Sequence, residues 1–253
     1  MYTLLNHPLV LLLVTFVFLW AATRFGAALQ VWHGQLDHER RADYDIALGA
    51  SLTLLSLLVG FSFSMASSRY DQRKNFEEGE ANAIGTAYTR AELLPSADAA
   101  KVQKQLRDYV ELRVRFYTTV NSAQVLELSN ATRAAQSQLW RTAAAAVRAA
   151  PSANSALVAS SINDTFNAQG YAQAAAWNRI PIGAWVLLYV LGGVAAAMIG
   201  YRFQFGRRQY LLMLILPGIM ATAFFLIADI DCPSGGVIRV LPENLLALMP
   251  SLT

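Results

Sequence analysis

The run Ile46–Ala66, IALGASLTLLSLLVGFSFSMA, holds 21 residues without a charge, and SSRYDQRKNFEEGEANAIG follows it at once. At about 1.5 Å per residue, such a run crosses a hydrocarbon core of about 30 Å as one helix. Its apolarity is interrupted in a regular way. Gly49, Thr53, Ser56, Gly60, Ser64 and Ser67 recur at steps of three and four, so small and weakly polar side chains share one helical face. A stripe of this kind has two readings. It packs closely against another helix, with its hydroxyls satisfied on carbonyls one turn back, or it faces water.

Three further apolar runs accompany the first: Leu9–Ala22, Ile182–Tyr201 and Leu211–Ala228. The earliest extends to Val31 if Arg24 snorkels its guanidinium to the interface. Met1–Pro8 has no Lys or Arg, whereas a secretory signal wants a basic segment before its apolar core, so this run is expected to be a retained helix. Trp20 and Trp32 read as interface anchors. With 55% hydrophobic residues, the chain is predicted to be an all-α integral membrane protein with four transmembrane helices.

The runs divide the chain into two spans (1–66), a polar insert (67–179), two more spans (180–230) and a short tail (231–253). The insert reads as helical. Asn75–Leu94 continues from the second span until Pro95. Asp98 is the expected N-cap of a helix running to about Val120, on which Val102, Leu106, Tyr109, Val110, Phe116 and Tyr117 oppose Lys101, Lys104, Arg107 and Glu111. Ala131–Ala149 and about Asn154–Trp177 form the next helices, and Pro181 opens the third span. Gly192, Ala196 and Gly200 make a helix-packing face there, and Pro217–Gly218 is expected to kink the fourth span.

Charge is weakly patterned. Net charge is +3, and the basic excess lies in the insert. That excludes the footprint of a nucleic-acid binder. Arg40, Arg41, Arg202, Arg207 and Arg208 flank the spans on one side, against Arg69, Arg73, Lys74, Arg179 and Arg239 on the other, so charge does not orient the chain. Cys232 is the single cysteine. No Cys/His cluster has metal-site spacing, and His33 and His38 read as part of a solvated loop. Asp229 and Asp231, in ADIDCPSGG, are weak candidates for a cation and better read as interfacial residues ending a helix. No phosphate-cradling loop, nucleophile elbow or zinc-protease motif occurs, and the span centres lack acids and histidines. Neither an enzyme nor a cofactor is expected.

Several stretches resemble the bestrophin superfamily, and specifically its bestrophin-like group of bacterial membrane proteins. They are Gly60-Phe61-Ser62-Phe63, the cluster Ser67-Ser68-Arg69-Tyr70-Asp71 with Arg73-Lys74-Asn75 behind it, EEGEANAIGTAYTRAELLP (Glu77–Pro95) and DIDCPSGGVIRV (Asp229–Val240). The resemblance implies a pentamer in a bacterial inner membrane, with a chloride-conducting neck lined by the second helix and a cytosolic insert. By registration on Arg69, the neck residues are Thr53, Leu57 and Phe61; registration on Tyr70-Asp71 puts Phe63 at the constriction. The chain departs from the family where paired aromatics would follow the Arg, and its acidic clasp is reduced to Asp229 and Asp231, which argues against calcium gating.

The expectation is therefore a homo-oligomeric, anion-permeable channel in the lipid bilayer. Its pore would be lined by Thr53, Ser56, Leu57, Gly60, Phe61, Phe63 and Ser64, with Arg69, Arg73 and Lys74 at the mouth concentrating anions such as chloride. For those three cations, inner-leaflet anchoring is an equal reading. The competing expectation is a non-conducting scaffold or sensor whose helical insert binds a protein partner.

Overall fold

A computed structural model describes residues 7–34, 37–202, 209–233 and 235–252. Met1–Asn6, Arg207, Arg208 and Ser234 lie outside the described residues. Among the described residues the structure is helical, without strands. In order, the elements are α1 (Pro8–His33), α2 (His38–Ala91), α3 (Ser96–Thr118), α4 (Ser122–Ala149), α5 (Ala153–Trp177), α6 (Ile182–Arg202), α7 (Gln209–Asp231) and α8 (Glu243–Leu248), closed by a 3-10 turn at Met249–Ser251. Among the described residues four helices are long and apolar enough to cross a membrane.

The chain forms two compact units: Met1–Ser68 with Arg179–Ile238, and Arg69–Asn178 with Arg239–Thr253. The segment 231–253, expected as a separate tail, is thus divided. Its first part stays with the apolar helices and its last fifteen residues belong to the helical insert.

In the first unit, the packed side of α1 is the line Leu11, Thr15, Leu19, Thr23 and Gly26–Ala27. Steps of three and four place these on one face. The matching face of α6 is Trp185, Leu188, Gly192, Ala195–Ala196 and Ile199–Gly200. The approach is so close that a Cβ on Gly26 would lie 1.8 Å from the Ala197 carbonyl oxygen, and one on Gly200 would lie 1.9 Å from that of Thr23. Lipid tails are as apolar as leucine, so association in a bilayer depends on such tight contact. Thr15 Oγ1 and Tyr189 Oη share a hydrogen bond at 2.6 Å. The Tyr189 ring meets Phe18 and Phe224 edge-on, with centroids at 5.7 and 5.4 Å. α7 stays helical through Pro217.

The second unit is built on a core of Ile84, Tyr88 and Ala91 from α2, Val102, Leu106, Tyr109 and Val110 from α3, Leu139 and Ala143 from α4, and Val158 and Ile162 from α5. Leu245 and Leu252 of the C-terminal segment complete it. Several local expectations shift. α3 starts at Ser96 after Pro95, so Asp98 sits in its first turn and not at the cap. There its charge favours the helix dipole. α4 begins at Ser122, earlier than expected, because the Asn121 side chain accepts from the Ala123 and Gln124 amides. Ser152 and Ser155 form a reciprocal capping box on α5. Arg107, assigned above to the solvent face, donates to Tyr88 Oη at 2.8 Å and to the Leu252 carbonyl at 3.3 Å.

The glycines divide into two classes that a substitution experiment separates. Gly200→Ala must push two backbones apart, with an expected loss of about 1–3 kcal/mol. Gly60→Ala, where a Cβ would meet nothing within 4 Å, is expected to be neutral or stabilising. Thermal unfolding of the detergent-solubilised variants reads the difference.

Candidate functional site

Along the apolar run of α2, Leu55, Ser62 and Ala66 are buried. These are separated by seven and four residues and form the packed side of the helix. The opposite side is open. Thr53, Ser56, Leu57, Gly60, Phe61, Phe63 and Ser64 are all exposed, Phe61 at 60%. Thr53, Ser56, Gly60 and Ser64 share the middle of that face, bordered by Leu57 and Phe61 on one side and Phe63 on the other. A Cβ on Gly49 or Gly60 would meet open space. The Thr53 hydroxyl donates to the Gly49 carbonyl at 2.9 Å, so it needs no partner from another helix to exist in lipid. The small residues that bring helices together are therefore those of α1 and α6, while the stripe on α2 is left uncovered by the described residues.

The three cations expected at the mouth are separated. Arg69 is half-buried and donates to Asn178 Oδ1 at 3.1 Å. Arg73 is 7% exposed, buried on the inner side of the helix. Only Lys74 lies in the open, among exposed Asp71, Asn75 and Glu78.

Arg73 introduces a line that sequence reasoning passed over. Arg73, Glu77, Glu80, Ile84, Ala87 and Ala91 follow one another at steps of four and three and are all buried. The carboxylates stand where a core residue is due, and each has a dedicated partner. Glu80, 0% exposed, receives Arg113 Nε at 2.5 Å and Nη2 at 3.2 Å, with Tyr117 Oη at 3.2 Å. The Arg113 guanidinium lies 4.5 Å from the Phe116 ring centroid. Burial works against its charge, but the field and hydrogen bonds of Glu80 outweigh that and raise its pKa. Burial also raises the Tyr109 and Tyr117 hydroxyls, and the charge of Glu80 adds to it. Glu77 accepts from Asn244 Nδ2 at 2.6 Å and from the Leu245 amide at 3.0 Å, so it caps α8 from outside. The signal available in the sequence was the spacing itself: two Glu in phase with Ile84 and Ala87.

Asp229 and Asp231 are both buried. Asp229 accepts from the Val237 and Ile238 amides, each at 2.8 Å, and Asp231 accepts from the Ile180 amide at 3.1 Å. Gly236 is required in this turn, since a Cβ there would lie 2.6 Å from the Asp229 carbonyl oxygen. These carboxylates tie loop backbone to the end of α7. Among the described residues no group of three or more His, Cys, Asp or Glu is placed to hold a metal ion.

A Bestrophin-like domain model matches residues 12–245. The chain belongs to the bestrophin-like family. Its fold matches that of a variant of the bacterial bestrophin homolog from Klebsiella pneumoniae, with 13% identity, 95% of this chain and 96% of that chain covered, and a TM-score of 0.66. A further structure of that homolog shows 14% identity over 96% and 94% of the two chains at a TM-score of 0.64. Comparison with curated proteins gave no match. For this bestrophin-like chain, the likeness at such identities is one of fold.

Arg113→Met strands Glu80 in the core and is expected to destabilise the second unit by about 3–5 kcal/mol, whereas the double change Arg113→Met with Glu80→Leu recovers most of the loss. Chemical denaturation of the two variants tests this. Raised tyrosine pKa values also set a pH window. Above about pH 10 the unfolded chain releases tyrosine protons that the folded chain keeps, so stability holds below that pH and falls above it. An alkaline absorbance titration should show Tyr109 and Tyr117 ionising only on unfolding.

Proposed function

We propose that the chain assembles with copies of itself, as a pentamer in the manner of the family it belongs to, into a membrane channel whose water path runs along the open face of α2. One observation carries this reading: Thr53, Ser56, Gly60 and Ser64 line up on a face of the apolar run that is exposed in its own chain. A face in contact with lipid alone has no use for hydroxyls and bare backbone. A single subunit with four spans encloses no path either, so conduction needs a ring of copies around one helix. Leu57, Phe61 and Phe63, on the borders of the face, supply the apolar constriction that gates by dewetting.

Permeation by anions such as chloride is the part of the proposal that rests on the family resemblance. The basic mouth lends it little, because Arg73 is buried and Arg69 is engaged with Asn178. A cation-permeable channel is the second reading, favoured by exposed Asp71 and Glu78, against which Lys74 is the opposing charge. Rings of carboxylates select cations.

Two measurements decide. Native mass spectrometry is expected to give a closed ring of subunits. Reversal potentials in proteoliposomes under a salt gradient then assign the sign of the permeant ion. Ser56→Leu and Gly60→Leu are expected to cut the flux roughly tenfold with the subunit count unchanged. A monomer that persists in lipid, or an assembled ring without conductance, overturns the channel in favour of a scaffold or sensor.

A further inference from the structure

Within the second unit, a cavity of about 130 Å³ lies between α2 and the C-terminal segment, lined among others by Tyr70, Lys74, Glu77, Arg239, Glu243 and Asn244. That is room for about four waters at about 30 Å³ each. Its charges differ in how they are used. Glu77 is already committed, one oxygen to Asn244 Nδ2 and the other to the Leu245 amide. The Tyr70 hydroxyl, the Lys74 ammonium, the Arg239 guanidinium and the Glu243 carboxylate enter no hydrogen bond or ion pair among the described residues. A small cavity thus gathers three unused donors, two of them cationic, and one unused carboxylate.

The chemistry of that set is specific. A guanidinium fork, an ammonium point charge and a phenol suit the several oxygens of a phosphate group. A bare phosphate dianion leaves Glu243 as a repelling neighbour. A phosphate ester that carries its own ammonium answers both signs, its phosphate facing the two cations and its ammonium facing Glu243. We infer that this cavity binds a phosphoethanolamine group, with its phosphate on Tyr70, Lys74 and Arg239 and its ammonium on Glu243. The group comes either from an ethanolamine lipid headgroup or from a soluble phosphate ester. Tyr70 stands four residues beyond the apolar run of α2, and Arg239 follows α7 by eight. Both positions are compatible with a headgroup.

The test uses the full-length protein. Soluble O-phosphoethanolamine and inorganic phosphate are titrated calorimetrically in detergent, and retention of phosphatidylethanolamine against phosphatidylglycerol is measured by native mass spectrometry from mixed-lipid nanodiscs. Saturable binding of the soluble ester supports a soluble source. Selective retention of phosphatidylethanolamine without it supports a lipid source. In either case Lys74→Gln with Arg239→Gln should weaken binding at least tenfold, Tyr70→Phe should weaken it less, and Glu243→Gln should erase the preference for the ammonium-bearing ligand. Lys101→Gln, on the exposed side of α3, should change nothing. The inference is overturned if neither ligand binds, if phosphatidylglycerol is retained as well as phosphatidylethanolamine, or if binding survives in a double variant that melts like the parent. Tyr70→Phe removes a single oxygen and keeps the test open should the double variant not fold.

Discussion

The buried pair of Glu80 and Arg113 is the constraint around which the helical insert is arranged, since neither charge can be left in the core without the other. A carboxylate in the centre of a small helical unit is tolerable only with a close counter-charge and hydrogen bonds to its oxygens. Arg113 supplies a bidentate partner from α3, Tyr117 adds a third donor, and Phe116 covers the guanidinium. The pair also specifies register. Sliding α3 by one turn along α2 would leave both charges uncompensated, a penalty an all-apolar interface would not impose. Glu77, one turn earlier, does the same for the chain's end by fixing α8 through its Leu245 amide.

In the apolar unit the equivalent role belongs to contact between backbones. With no water to exclude, α1 and α6 are held by closeness, and Gly26 and Gly200 are the positions where a single methyl would prevent it. α2 takes part with one side only. Its other side carries the same kinds of small residue to a different end, since nothing among the described residues covers them. Identical residue types therefore serve as packing faces on α1 and α6 and as an open face on α2. The difference lies in what stands opposite, not in composition.

This is where the reading of the sequence succeeds and where it stops. The apolar runs, the all-helical class and the break at Pro95 follow from local rules: hydropathy over a bilayer thickness, the spacing of apolar residues, the geometry of proline. So does the close-packing face of Gly192, Ala196 and Gly200. The family is legible only as a resemblance of particular stretches, Gly60–Asn75, Glu77–Pro95 and Asp229–Val240. The two readings of the α2 stripe could not be separated that way, because packing against a helix and facing away from one require the same side chains. Arg69, Arg73 and Lys74 look alike in a string of letters, yet they point in different directions on a helix whose inner face only its neighbours define.

What the sequence by itself determined is the solvent each segment must live in, since transfer between water and hydrocarbon depends on the residues alone. The tertiary structure decided which polar groups the protein uses up internally. Glu77, Glu80, Asp229 and Asp231 are spent on Asn244, Arg113 and backbone amides far away in the chain or across a turn. Thr53, Ser56 and Ser64, and the side chains of Tyr70, Lys74, Arg239 and Glu243, reach no other element of the chain through a hydrogen bond or ion pair among the described residues. Such pairings join residues separated by up to 168 positions, and only the folded backbone brings them within the three ångströms over which a hydrogen bond acts.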